Sequence, residues 1–387
     1  MAGGKRGNRM DERDDLSRLV RAERTASGRT SSGDLRVERA SSGDARADRA
    51  SSGRATSGRV SMAMVAGRAG VSGQTVSRVV NGSPRVDPAT RARVEAAMTD
   101  LGYRPHRAAR ALRTGRTQTI GLVVTTLATV GNSRMLQATA EAAEERGYAL
   151  LLVTAGDTAA AAFDRLRDQG VDGAIVLNEA SALTLAADRP EGLHLVVVDA
   201  PASSGLRVVH SDHAGGAAVA TGRLLDLGHE NVWHLAGPAD SFAAAERERG
   251  WRETLQAKGI TPSRVVRGDW SAESGHLAAS ELTQATAVFS ANDQMALGLV
   301  RGFAEQGRGV PDRVSVIGFD DVPDAANYRP PLTTVRQDFT ALAVAAVDAL
   351  VAEIEGDVLA AAGVSRDGGA QGIIRTHLIE RESAASA

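Results

Sequence analysis

The sequence predicts a small all-α head followed by a large α/β body of two doubly wound lobes, and three observations carry that prediction. Residues 60–104 hold three short helical patterns with capping residues at their ends. From Thr119 onward, apolar runs of strand length alternate with amphipathic helical stretches, the rhythm of parallel βα units. That rhythm lasts for about 260 residues, more than one core comfortably serves, so two similar lobes with a cleft between them are expected.

At 387 residues and 43% apolar content, the chain can fill several cores. It has no cysteine, which excludes disulfides and thiolate metal sites. No apolar run approaches the length of a membrane span, and the start lacks the apolar core of a secretion signal, so a cytoplasmic location is expected. The net charge of −2 averages over unlike segments. Residues 60–116 carry ten arginines and no lysine against only Asp87, Glu95 and Asp100. A basic segment of this kind attracts polyphosphate whatever the whole-chain sum.

Residues 1–58 are rich in serine, glycine, arginine and aspartate, with a ten-residue period: Ser31-Ser32-Gly33-Asp34, Ser41-Ser42-Gly43-Asp44, Ser51-Ser52-Gly53. With no apolar face to stack, the repeat cannot build a solenoid or offset its ordering entropy, and it reads as a disordered tail. It is a dispensable extension, or a start assigned upstream of one near Met62, with a weak electrostatic hold on DNA as the alternative.

The head occupies residues 59–104. Ser61 caps a helix over 62–69 that ends at Gly70, and Ser72 caps a second running to Val80. Asn81-Gly82-Ser83-Pro84 breaks the chain. Asp87-Pro88 then opens a third helix with Val94, Ala97, Met98 and Leu101 at helical spacing, closed by Gly102. Residues 105–117 follow as a linker or marginal helix with an Arg-Ala run over 107–113, and the α/β body fills 118–382. Strands are expected at 120–124, 149–153, 174–177, 195–198, 232–236, 287–290 and 314–319, their Val, Ile and Leu runs suiting burial on both faces.

Residues 64–81 satisfy the demands of a helix-turn-helix. Ala66 is small where two helices cross, Gly70 makes the turn, and Val71, Val76 and Val79 or Val80 face inward. Gln74, Thr75, Ser77 and Arg78 then face outward, where Gln pairs with adenine and Arg with guanine in the major groove. In the body, polar residues at the carboxyl ends of buried strands mark where open α/β sheets bind ligands. Asp199, Asn292 and Asp320 occupy such ends, and Arg247 lies on the helix after Gly237-Pro238. Carboxylates, an amide and a guanidinium suit vicinal hydroxyls, while Trp270 and Phe339 can cover a sugar's apolar face. No phosphate loop, metal-spaced histidine cluster or nucleophile elbow accompanies them, which argues against an enzyme. The eight histidines read as structural or surface groups. A secreted solute receptor shares the two-lobed plan but lacks the helix-turn-helix and needs a secretion signal.

The segments Ala69-Gly70-Val71-Ser72 and Ser77-Arg78-Val79-Val80-Asn81, then Val86, Thr90-Arg91 and Leu101-Gly102-Tyr103-Arg104-Pro105, resemble the LacI/GalR family of repressors. The resemblance extends over residues 60–382. In the body it is closest to the family's lactose-responsive branch, at Gly268-Asp269-Trp270-Ser271-Ala272, the eight residues 291–298 and Pro330-Pro331-Leu332-Thr333-Thr334.

It implies a periplasmic-binding-protein-like body and a repressor that leaves its operator DNA when a sugar effector, a galactoside or similar saccharide, binds. Gln74, Thr75 and Arg78 would read bases, with Ser72, Ser77 and Asn81 seating the backbone. The 107–113 run, Arg107 included, would be a hinge helix that orders on operator DNA, with Leu112 wedged into the minor groove. Arg247, Asn292 and Asp320 would be core effector ligands. Asp199, Trp270, Gln337 and Phe339 would line the same pocket, with hydroxyls from Thr125 and Ser241. Gly73 departs from the branch's tyrosine, Met64 from its aspartate and Leu177 from its asparagine. Thr129, Gly131, Asn132 and Met135 change the rim. The implied partners are operator DNA, a small-molecule sugar effector and a second copy in a homodimer, since no leucine heptads follow residues 373–381 to build a tetramer. No membrane partner and no cofactor are implied.

Overall fold

The computed structural model describes residues 60–104, 111, 115–156, 159–178, 192–201, 206–356 and 372–387. The expected tail, and Arg107 and Leu112 of the expected hinge helix, lie outside the described residues. The chain divides into two units, residues 1–103 and 104–387. No helix among the described residues is long and apolar enough to cross a membrane.

In the first unit the caps act at the anticipated residues. Helix α1 (Met62–Ala69) starts where the Ser61 hydroxyl accepts from Met64 N–H, and it ends at Gly70, whose φ of 66° is the left-handed turn that favours glycine. Helix α2 (Gly73–Val80) starts on Ser72, which accepts from Thr75 N–H, and α3 (Pro88–Leu101) starts on Asp87, which accepts from Thr90 N–H. Val65, Ala66, Val76, Val79, Val86, Val94, Ala97 and Tyr103 meet in one small core.

The second unit holds two six-stranded sheets. In lobe 1, β1 (Thr119–Val124), β2 (Ala149–Thr154), β3 (Gly173–Leu177), β4 (His194–Val198) and β5 (Arg207–Ser211) run parallel in the order β5-β4-β3-β1-β2. Lobe 2 repeats that order with β6 (Trp233–Ala236), β7 (Val266–Arg267), β8 (Ala287–Ser290), β9 (Ser315–Asp320) and β10 (Thr333–Arg336). The edge strand β11 (Ile373–Ile374) joins β5 in parallel, and β12 (His377–Ile379) joins β10 antiparallel. Each sheet is buried on both faces. In lobe 1, Ile120, Leu122 and Val124 face one core while Val123, Val176 and Val197 face the other.

The helices are α4 (Val130–Glu145) and α5 (Ala159–Asp168) in lobe 1, and α6 (His213–Asp226), α7 (Phe242–Ala257), α8 (Ala272–Ala278) and α9 (Asp293–Glu305) in lobe 2, with α10 (Phe339–Glu355) last. Although α10 follows a lobe 2 strand, it packs into the lobe 1 core, and α6, which follows a lobe 1 strand, packs into lobe 2. Among the described residues the chain therefore crosses between lobes three times, at Asp212, at Gln337-Asp338 and at Arg375-Thr376. Asp212 ties two crossings together: its N–H donates to Ile374 O at 2.7 Å, and its carbonyl accepts from the Thr376 hydroxyl at 3.2 Å.

Lobe 2 continues past the expected end at 382. Ser383 is fully buried, its hydroxyl donating to Val316 O at 2.6 Å, and Ala387 N–H reaches Leu227 O at 3.0 Å.

One buried residue makes this fold sensitive to acid. His234, on β6, stacks between Phe289 (centroids 4.9 Å) and Trp251 (5.3 Å) and donates from Nδ1 to Phe289 O at 2.9 Å. Full burial pushes its pKa down to about 4. An unfolded imidazole takes its proton near 6.5, so on acidification the unfolded chain is protonated first. The stability from neutral His234 is intact above pH 6.5 and is lost as pH falls towards 4, by about 3 kcal/mol in all. Urea midpoints measured from pH 7 to pH 4 should fall along that course, and the slope should flatten in His234→Phe. An unchanged slope in the variant would assign the acid sensitivity elsewhere.

Candidate functional site

The head presents a polar face built on α2. Gln74 and Arg78 are exposed, while Val76 and Val79 on the opposite side are buried. Ser72 and Thr75 engage each other through their hydroxyls at 2.9 Å. Asn81 donates from Nδ2 to Ser77 O at 2.6 Å, closing the helix end. Ser72, Ser77 and Asn81 therefore brace the frame from which Gln74 and Arg78 project. Met64 on α1 is half exposed (50%), and Arg68 is paired with Asp100 at 2.9 Å.

The body contains a cleft onto which both lobes present side chains, the setting in which α/β folds hold small molecules. Eight of the nine candidate residues line it: Asp199, Ser241, Arg247, Trp270, Asn292, Asp320, Gln337 and Phe339. Asp199 comes from the end of a lobe 1 strand, and Arg247, Asn292 and Asp320 come from lobe 2. Gln337 sits in a crossing and Phe339 opens α10.

Thr125 departs from expectation. It is half-buried at the end of β1 and does not line the cleft, because the first turns of α4 supply the rim there through Thr129, Gly131 and Met135.

Backbone strain marks the same place. Among the described residues, six other than glycine have positive φ, and four of them line the cleft: Asn178 (45°), Asp199 (59°), Trp270 (74°) and Asp320 (112°). Left-handed backbone in non-glycine residues costs free energy and persists where the surroundings hold a side chain in a required place. Here it turns side chains off the strand ends into the cavity.

Arg247 organises the interior. Only 4% exposed, its guanidinium donates from Nε to His213 Nδ1 at 3.3 Å and from Nη1 to Ala291 O, and Nη2 lies 3.6 Å from Asp320 Oδ1. Its face rests on Phe319 at 3.9 Å and on Trp270 at 5.5 Å. Gln337 donates to the same Asp320 oxygen at 2.7 Å.

The two cleft carboxylates are equally buried but shift in opposite directions. Burial raises both. At Asp320 it prevails over Arg247 and Gln337, leaving the pKa above the ordinary value. At Asp199 the contact with His213, with Arg247 behind it, overcomes burial and holds the carboxyl below it.

Asn292 caps α9, accepting from Met295 N–H at 2.9 Å and donating to Trp270 O at 3.0 Å, so it fixes the strained Trp270 as well as facing the cavity. Acceptors, a donor fork and two aromatic faces in one cavity suit a neutral polyhydroxyl ligand.

Comparison with known proteins agrees with both halves. Residues 61–106 match the signature of bacterial regulatory proteins of the lacI family, and residues 221–384 match a periplasmic binding protein-like domain. The lactose operon repressor of Escherichia coli (strain K12) is 36% identical over 313 residues, 78% of this chain and 86% of that protein. The chain belongs to the LacI family.

Among solved LacI-family structures, the lac repressor dimer bound to operator and the anti-inducer ONPF superposes with a TM-score of 0.73 at 32% identity. It covers 85% of this chain and 100% of that one. The complex of the transcriptional regulator CelR with cellobiose gives 0.59 at 32% identity, covering 84% and 100%.

Four positions in or beside this LacI-family cleft escaped the sequence reading. Asn178, Ala243 and Leu342 line it, and His213, placed among structural or surface histidines, lies buried between Asp199 and Arg247. Asn178 follows the last residue of β3, so the strand-end rule that found Asp199 applies to it equally. Ala243 and Leu342 carry no sequence signal beyond helical periodicity.

Removing Arg247 strips Asp320 of its cation inside a dry site. Arg247→Met is expected to cost about 3–5 kcal/mol in urea unfolding, with the double variant Arg247→Met/Asp320→Asn recovering part of the loss. An unchanged midpoint in the single variant would show that Asp320 does not depend on Arg247.

Proposed function

We propose that this LacI-family protein is a cytoplasmic, dimeric transcription repressor that binds operator DNA through α2 and releases it when a sugar enters the cleft. The observation that carries the reading is the cavity itself. Carboxylates and a guanidinium from both lobes converge on one space, in a chain whose head exposes Gln74 and Arg78 on a braced helix. A ligand held by Asp199 on one side and by Arg247 and Asp320 on the other stabilises one arrangement of the lobes. Coupling of that arrangement to DNA affinity is typically worth about 1–3 kcal/mol.

The relatives support the class of ligand. One is named for the lactose operon and another is solved with cellobiose. The effector is therefore read as a saccharide, with Asp199, Ser241, Arg247, Trp270, Asn292, Asp320, Gln337 and Phe339 around it. In the head, Gln74, Thr75 and Arg78 read bases while Ser72, Ser77 and Asn81 position the backbone. Arg107 and Leu112 belong to the proposed linker, 105–117.

Operator fragments selected from a random pool by the full chain test the DNA half. Arg78→Ala and Gln74→Ala should each weaken the selected operator by about 1–3 kcal/mol and relax preference at one base position. A uniform loss across all sequences would assign those side chains to phosphate contact instead. Release of the operator by lactose or cellobiose in a mobility-shift assay tests the sugar half, and an operator affinity unmoved by a full panel of saccharides would overturn it.

A further inference from the structure

We propose that His213 is the positioning residue of the cleft, a fixed imidazole that orients the lobe 1 carboxylate and the lobe 2 guanidinium towards one ligand. The proposal rests on the reading of the cleft as a sugar site. His213 is 2% exposed, opens α6 just after the first crossing between lobes, and does not itself line the cavity. Its Nε2 lies 2.9 Å from Asp199 Oδ1, and its Nδ1 lies 3.3 Å from Arg247 Nε.

The protons on this chain follow from the chemistry of its members. An arginine Nε always carries hydrogen, so Nδ1 of His213 has to be the acceptor. The ring hydrogen then sits on Nε2 and is donated to Asp199. One neutral tautomer satisfies both neighbours, and the other faces Arg247 with a second donor and Asp199 with a bare lone pair.

Phe242 (centroids 6.5 Å, edge-on) and Phe319 (6.1 Å) pack against the ring and limit its rotation. The charged and titratable groups around it are Asp199 just past β4, His210 on β5, Glu246 and Arg247 on α7, and Asp320 on β9.

The consequence for a ligand is specific. Oδ1 of Asp199 is occupied by His213, which leaves Oδ2 as the lobe 1 acceptor for a hydroxyl. Anchoring Nε sets the roll of the Arg247 fork, so Nη2 points to Asp320 and the cavity. The two ligands a sugar has to bridge are thus aimed before it arrives, although they belong to different lobes, and the orientation cost of binding falls. A replacement has to offer an acceptor and a donor on one frame. Glutamine does so through Oε1 and Nε2. Phenylalanine keeps the ring packing and offers neither.

The test has two arms on the full chain. Ring-nitrogen NMR of the eight histidines, with His213 assigned by the resonance missing in His213→Gln, should show the hydrogen on Nε2. A hydrogen on Nδ1, or a mixture of tautomers, would overturn the proposal whatever sugar binds. Calorimetry with lactose and cellobiose should then show His213→Phe weakening the better-bound sugar by about tenfold or more, with His213→Gln staying within about threefold of the parent. Urea midpoints confirm that both variants fold. Equal losses in the two variants, or no loss in His213→Phe, would reduce His213 to packing. If neither sugar binds the parent, the tightest binder from the full saccharide panel takes their place; should none bind, the saccharide reading falls while the NMR result still decides the tautomer.

Discussion

The structure depends on holding a guanidinium away from water between two lobes. An ion buried to the extent of Arg247 is tolerable only when charge and hydrogen bonding replace its hydration. The groups that do so, His213, Ala291 O and Asp320, each come from a different element. The second turn of α7, the end of β9, the residue after β8 and the start of α6 are therefore fixed with respect to one another by a polar requirement, not by apolar packing alone. The left-handed backbone at Asp199 and Asp320 belongs to the same arrangement. It is the local cost of turning carboxylates off the strand ends towards the cation and the cavity.

The same network explains how one site can hold two carboxylates in different states. Asp199 is stabilised as an anion by a neighbour that donates to it. Asp320 shares its cation with a carbonyl and an imidazole and is left partly uncompensated, so its affinity for a proton rises. A hydroxyl-bearing ligand thus meets a firm acceptor from lobe 1 and a more adaptable one from lobe 2.

Much of this was legible in the sequence, for reasons that can be named. The three head helices begin and end where Ser61, Gly70, Ser72, Asp87 and Gly102 indicate, because capping is a local contest between side chains and backbone. Doubly buried strands announce themselves as unbroken aliphatic runs, and their carboxyl ends led to Asp199, Asn292 and Asp320. Five strands, β5, β7, β10, β11 and β12, were not read, and in two of them the identity is not local. Arg207–Ser211 mixes polar and apolar residues beside a two-residue partner, and Ile373–Ile374 is a strand only because β5 is beside it. Thr125, which only the family resemblance implied, does not line the cavity, since matching a position does not fix the path of the loop that follows the strand. His213 was overlooked because its role is set by Asp199, Arg247, Phe242 and Phe319, which the sequence scatters over more than a hundred positions.

The exchanged helices have a further bearing on how the molecule comes into being. Lobe 1 is incomplete without α10 and β11, both of which are synthesised after the whole of β6 to β10. A nascent chain leaving the ribosome therefore carries an open lobe 1 face, with Ile120, Leu122 and Ile175 uncovered, until α10 and β11 emerge. Closure then depends on contacts between segments far apart in the sequence, the kind that form slowly. Neither lobe corresponds to a contiguous fragment that could be excised, and the body has to be gained or lost as a whole.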